Sequence, residues 1–145
     1  SRCDANMQMH ANNTNSGVKG NKVIHPELSY LITGICFDVH NDLGRFAREK
    51  QYGNFLEEKL VSLKIPFKRE HRIGGTGNIL DFIIDNKIVL ELKAKDSIVR
   101  EDYYQLQRYL QTSQIKLGLL VNFRNRYLKP LRIVRIDSSA KEKFV

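Results

Sequence analysis

The sequence predicts an α/β domain, a mixed sheet of four to five strands flanked by helices in the order α-α-β-β-β-α-β-β. Three observations predict it. Two amphipathic helical stripes come first, ending near Leu43 and Leu63. Two short runs rich in β-branched residues follow, Ile79 to Ile84 and Ile88 to Lys93, with turn-prone Asp85-Asn86 between them. After a third helical stripe, Leu117 to Phe123 is a nearly continuous apolar run, the pattern of a strand covered on both faces.

Residues 1–24 are polar, Asn-rich and without periodicity; they read as a disordered leader or an engineered remnant, leaving 25–145 as one domain. Pro26 suits the first turn of a helix whose stripe is Ile32, Ile35, Cys36, Val39 and Leu43, and Gly44 suits its stop. A second helix is expected from about Arg45 to Leu63, with Tyr52, Leu56, Leu60 and Leu63 on one face. Glu49 falls on that face too. It is either a first-turn acid favoured by the helix dipole or a carboxylate reaching a site.

Ile65-Pro66-Phe67 opens an edge strand to Ile73 that carries Lys68, Arg69, His71 and Arg72. Gly74 to Gly77 is a turn. It is not a phosphate-binding loop, since no Gly-Lys-Ser/Thr follows and the next element is a strand. Ser97 can cap a helix to about Thr112 with Val99, Tyr103, Leu106 and Leu110 as its stripe. Beside that stripe Gln105 and Tyr109, four apart, share a face, either as a plain flank or as hydrogen-bonding groups aimed at a phosphate. The last strand, Leu131 to Ile136, alternates and has a basic outer face, with Arg124, Arg126, Lys129, Arg132 and Arg135 accompanying it.

A net charge of +8 and a pI near 9.6 favour a polyanionic partner, nucleic acid before membrane. No apolar run approaches a membrane span and no signal peptide opens the chain, so the expected location is cytoplasmic, nucleoid-associated in a prokaryote. Cys3 and Cys36 lie in a polar tail and on an apolar helix face; no disulfide is expected between them, and Cys36 reads as core filler.

Asp81 stands in the first run of the hairpin, Glu91 and Lys93 in the second. A buried hairpin should not want three charges, because an unpartnered buried charge costs several kcal/mol or more. Glu91 and Lys93, two apart, share a face. A strict two-residue loop would set Asp81 opposite Leu90; a three-residue loop through Lys87, or one bulge, sets it opposite Glu91. The second register is the expected one. Two carboxylates and an ammonium then form a site for a hard cation such as Mg²⁺, with Lys93 to hold water or steady charge on a phosphate. The bland alternative is a surface hairpin whose charges pair in solvent.

Taken together, Leu43-Gly44, Glu49-x-x-Tyr52, Asp81, Glu91-Leu92-Lys93, Gln105-x-x-x-Tyr109 and the Leu117-to-Phe123 run resemble the PD-(D/E)xK nuclease superfamily, and within it the GxxExxY family. The similarity covers about Leu28 to Ile136. One departure is Phe46, where the naming motif has Gly three residues before its Glu. The resemblance implies a restriction-endonuclease-like fold and a Mg²⁺-dependent nuclease, with Mn²⁺ as a substitute. It implies that Asp81 and Glu91 ligate the metal with the Leu92 backbone carbonyl, and that Lys93 orients or activates water. Glu49 would help through water or a second ion, and Gln105 and Tyr109 would place the scissile phosphate. Lys68, Arg69, Arg72, Arg124, Arg126 and Lys129 are then candidates for the nucleic-acid backbone, DNA before RNA. A homodimer or a larger DNA-processing complex suits paired cuts. The rival readings are a catalytically silent nucleic-acid-binding module and an accessory subunit of such a complex.

Overall fold

Helix α1 (Pro26–Leu43) starts on the expected proline and stops at Gly44, whose φ of 77° is the left-handed conformation glycine adopts freely. The Gly44 N–H closes the helix by donating to His40 O at 2.8 Å. The structure, a computed structural model, describes residues 23–74 and 77–137, and for residues 70–81 the backbone only. The leader read over residues 1–24 therefore falls, but for its last two residues, outside the described residues, as does Cys3.

Helix α2 (Glu49–Ser62) begins four residues later than its periodicity predicts. The cause is Tyr52. Its hydroxyl accepts a bond from Ala47 N–H at 3.1 Å and donates to Gly44 O at 2.6 Å, folding residues 44–48 into a loop against the helix. The Arg48 N–H is then satisfied by the Gln51 side chain at 2.9 Å. Phe46 lies in this loop without positive φ, so its backbone does not require the motif's glycine.

Strands β1 (Phe67–Gly74), β2 (Gly77–Ile84), β3 (Ile88–Lys93), β4 (Leu117–Asn122) and β5 (Leu131–Val134) form one sheet in that order. Only the β3–β4 pair is parallel, and helix α3 (Arg100–Ser113) makes the crossover between them. The expected mixed, helix-flanked sheet is thus present, in a form consistent with a restriction-endonuclease-like fold. Gly74 and Gly77 pair as rungs of the first hairpin; Gly75 and Thr76 of the expected turn lie outside the described residues. Two boundaries differ from expectation. The Val99 N–H donates to Asp102 Oδ2 at 2.7 Å, which sets the cap of α3 at Val99 rather than Ser97. The ladder of β5 ends at Val134 rather than Ile136, where the Gln107 side chain takes over the hydrogen bonding of Val134 O and Ile136 N–H.

Asp85 and Asn86 both adopt positive φ (53° and 54°), and Lys87 N–H closes the turn on Ile84 O at 3.0 Å. Lys87 is then an extra residue before the ladder starts at Ile84↔Ile88, which carries the register to Asp81↔Glu91. The three-residue loop expected from the sequence is the one present.

Two cores hold the layers. On one face Ile32, Cys36, Val39, Tyr52, Leu56 and Leu60 of α1 and α2 cover Ile88, Leu90, Leu92, Leu117, Leu119 and Val121. On the other, Leu106 and Leu110 of α3 cover Val89, Leu120 and Ile133. Gly118 admits α3 closely: a Cβ there would sit 2.9 Å from Leu106 Cδ2. Burial pushes the Cys36 thiol up to about 12. Cys36 should therefore stay unlabelled by a maleimide near neutral pH until denaturant is added, as read by peptide mass. Among the described residues no helix is long and apolar enough to cross a membrane.

Candidate active site

Strand β3 is buried along its whole length, and its alternation divides the charges from the grease. Ile88, Leu90 and Leu92 turn to α1 and α2, so Val89, Glu91 and Lys93 turn to α3. Glu91 is 2% exposed and Lys93 9%, a costly arrangement for two charges unless it serves something. Ile83 of β2 packs in the α3 core while Phe82 and Ile84 pack in the other, so position 81 lies on the Glu91 face. The side chain of Asp81 is outside the described residues; its register opposite Glu91 is set by the backbone. Beyond that rung the described ladder joins β2 to β1 alone. The two middle strands thus part where the two acidic positions face each other, and Leu92 is the first residue of β3 past the split.

Lys93 lies between two carboxylates, its Nζ 3.7 Å from Glu91 Oε1 and 3.8 Å from Asp102 Oδ1. Neither contact is as short as a closed, charge-assisted hydrogen bond. Asp102 is held elsewhere. Its Oδ2 accepts from Lys95 Nζ at 2.7 Å and from Val99 N–H at 2.7 Å. Burial alone would raise the Asp102 pKa, but the hydrogen bonds from Lys95 and Val99 and the charges of Lys95 and Lys93 outweigh it and hold it below the ordinary value of 3.8. Sequence reasoning missed Asp102. The available signal was an acid in the first turn of the helix after Glu-x-Lys, where its carboxylate can meet both the cap and the strand end. Asn122 was also given no role. It receives Lys95 N–H at 3.1 Å and donates to Lys95 O at 2.7 Å, pinning the chain as it leaves β3.

A depressed folded pKa means that ionised Asp102 stabilises the fold above its unfolded value, and that this contribution fades as pH falls through the lower folded value. Asp102→Asn should accordingly lower Tm at neutral pH, with the gap to the parent closing below about pH 4. Thermal melts of both proteins across pH 3–7 check it.

Glu49 is the half-buried first residue of α2, on the opposite layer from α3. Tyr52, three residues on, stacks its ring on Phe123 at 4.2 Å and 14°, which sets this end of α2 against the Lys93 end of the sheet. Phe123 N–H in turn donates to Lys93 O at 2.8 Å. Arg45 and Arg124 lock the two loops by exchanging bonds, Arg45 Nε to Arg124 O at 2.9 Å and Arg124 Nε to Arg45 O at 3.1 Å. Gln105 and Tyr109 stand half-buried on α3, the layer that covers Glu91 and Lys93, and Tyr109 packs against the α3 core. The structure thus draws Glu91, Lys93 and α3 onto one face, and brings Glu49 to that end of the sheet from the other.

The basic candidates divide. Lys68, Arg126 and Lys129 are exposed. Arg69 bonds Asn54 at 2.8 Å and Glu57 at 3.2 Å, and lies over the Phe82 ring, bracing β1 to α2. Arg124 also reaches Ala94 O at 3.3 Å. The side chain of Arg72 is outside the described residues. Arg132 leaves the expected basic face of β5 to bond Ser29 Oγ at 2.6 Å and Ile24 O at 2.9 Å.

Among the described residues no three His, Cys, Asp or Glu side chains gather as metal ligands. Positions 81 and 91 and the Leu92 backbone nonetheless offer only oxygen donors, where the β2–β3 ladder ends. This chemistry fits a hard cation, which needs few protein carboxylates and keeps its waters. In comparison with protein families, residues 26–136 match the family model of the PD-(D/E)XK nuclease superfamily. No curated protein and no solved structure matches the chain.

Proposed function

The chain belongs to the PD-(D/E)XK nuclease superfamily, and we propose that it is a Mg²⁺-dependent nuclease that hydrolyses phosphodiester bonds of DNA. The observation that carries this reading is the Asp81↔Glu91 rung at the parting of β2 and β3, with buried Lys93 on the same face. Asp81, Glu91 and the Leu92 carbonyl are the residues that would hold the ion. A bound divalent cation supplies Lewis acidity to water and to the phosphate oxygens.

The chain's own part is positioning and charge. Lys93, held at arm's length by Glu91 and Asp102, keeps donors available for the attacking water or for a phosphate oxygen whose charge grows as water adds to phosphorus and the P–O bond to the leaving sugar breaks. Gln105 and Tyr109 on α3 are assigned to placing the scissile phosphate, and Glu49 to a water at the strand end. Exposed Lys68, Arg126 and Lys129 supply phosphate contacts along the nucleic acid.

The narrower GxxExxY assignment is also proposed, on Glu49-x-x-Tyr52, because Tyr52 is the residue that anchors the loop before Glu49. The test is incubation with supercoiled plasmid and with single-stranded oligonucleotide in Mg²⁺, Mn²⁺ or EDTA. Nicking or linearisation that needs metal supports the reading. Salt-steep binding with no cleavage in either metal replaces it with a silent binding module.

A further inference from the structure

Aromatic side chains seldom stand open to water, yet Phe46 is 75% exposed and Tyr127 72%. Both lie on the loops that meet at the Lys93 end of the sheet, residues 44–48 and 123–129. Those loops are joined by the Arg45–Arg124 exchange, and His40 of α1 meets Asn125 O of the second at 2.9 Å. Each ring has guanidinium company: Arg45 and Arg124 lie 4.9 and 5.6 Å from the Phe46 centroid, and Arg126 5.4 Å from that of Tyr127. Arg124 also bonds Ala94 O, the residue after Lys93, which makes this surface continuous with the candidate site. Packing does not explain the exposed ring of Phe46, since it stands outside both cores. Nor does backbone geometry, since the position has no positive φ.

We propose that Phe46 and Tyr127 form a stacking platform for the unpaired bases of single-stranded nucleic acid, with exposed Arg126 on its phosphates and Arg45 and Arg124 fixing the loops beneath. Exposed rings interleaved with cations suit this ligand. Every base has a face to stack, whereas the bases of a blunt duplex are already stacked on one another. The substrate of the site is then a single strand or a single-stranded flank beside the cleaved bond. This rests on the nuclease reading above.

The test is fluorescence anisotropy in EDTA at low salt, with one labelled sequence as single-stranded DNA, as single-stranded RNA and as blunt duplex DNA. Phe46→Ala should weaken single-strand binding roughly 5- to 100-fold, the worth of one base on an aromatic ring, and leave the duplex unchanged. Phe46→Tyr should restore it, and the melting curves of all three proteins should coincide because the side chain is exposed. The DNA and RNA arms tell which strand is preferred. Unchanged single-strand binding by Phe46→Ala, or an equal loss on duplex, overturns the proposal. So does a variant that changes only self-association, which would make the rings a protein contact. If the parent cuts plasmid in a Glu91-dependent manner while Phe46→Ala binds normally, the platform fails alone. If the parent binds no nucleic acid at all, the nuclease reading fails with it.

Discussion

Glu91→Gln is expected to lower Mg²⁺-dependent plasmid nicking roughly 100- to 1,000-fold or more, the scale of losing one key electrostatic group in a preorganised site. Glutamine keeps the shape of a side chain that is 2% exposed but removes the charge that would hold the ion. Lys93→Met should cause a loss of the same order by removing the donors while keeping the buried stem. The two variants should differ in stability. Glu91→Gln leaves the Lys93 charge facing Asp102, whereas Lys93→Met leaves two carboxylates with one cation fewer, Asp102 keeping Lys95 at 2.7 Å. Nicking rates measured beside thermal melts separate lost chemistry from lost fold. Parent-like cutting by both variants, with normal melts, would remove the assignment of these residues.

Phe123→Ala is expected to destabilise the domain by about 3–5 kcal/mol, the usual cost of emptying a fully buried aromatic position. Its ring is fully buried and stacked on Tyr52, and its N–H is bonded to Lys93 O. For a domain of this size the drop in Tm should be roughly 10–20 °C. Phe123→Leu should lose much less. Tyr52→Phe keeps the stack and loses only the hydroxyl that spans Ala47 and Gly44, so about 1–3 kcal/mol is expected. Phe123 also links the α2 end to the β3 end, so Phe123→Ala should lose activity even well below its melting temperature. Chemical denaturation together with nicking at low temperature checks both halves. Activity that falls only in proportion to the unfolded fraction would show that the link positions nothing.

Much of the fold could be read from the sequence because its signals are local. Pro26 and Gly44 bracket α1, the continuous grease of Leu117 to Val121 announces a strand covered on both sides, and Asp85-Asn86 tolerates the positive φ its turn requires. The register at Asp81 was only half legible: apolar residues fill both faces of β2, so the pattern left two loop lengths open, and the Lys87 N–H closing on Ile84 O decides between them. What stayed hidden depends on contacts between distant parts. The late start of α2 comes from a hydroxyl eight residues away closing on Gly44. The cap of α3 comes from Asp102, a residue also engaged by Lys93 of β3 and by Lys95 just beyond it. The fate of Arg132 was equally invisible, since alternation shows which face a residue takes but not that α1 waits there.

That last contact brings the first described helix and the last strand side by side, Arg132 reaching both Ile24 O and Ser29 Oγ. Past β5 the chain turns the other way, Ile136 lying on α3 where Gln107 and Gln111 bond it. Arg132→Ala should therefore free the last strand and the start of α1 together, so that amide exchange quickens at both margins and not at the β3–β4 centre.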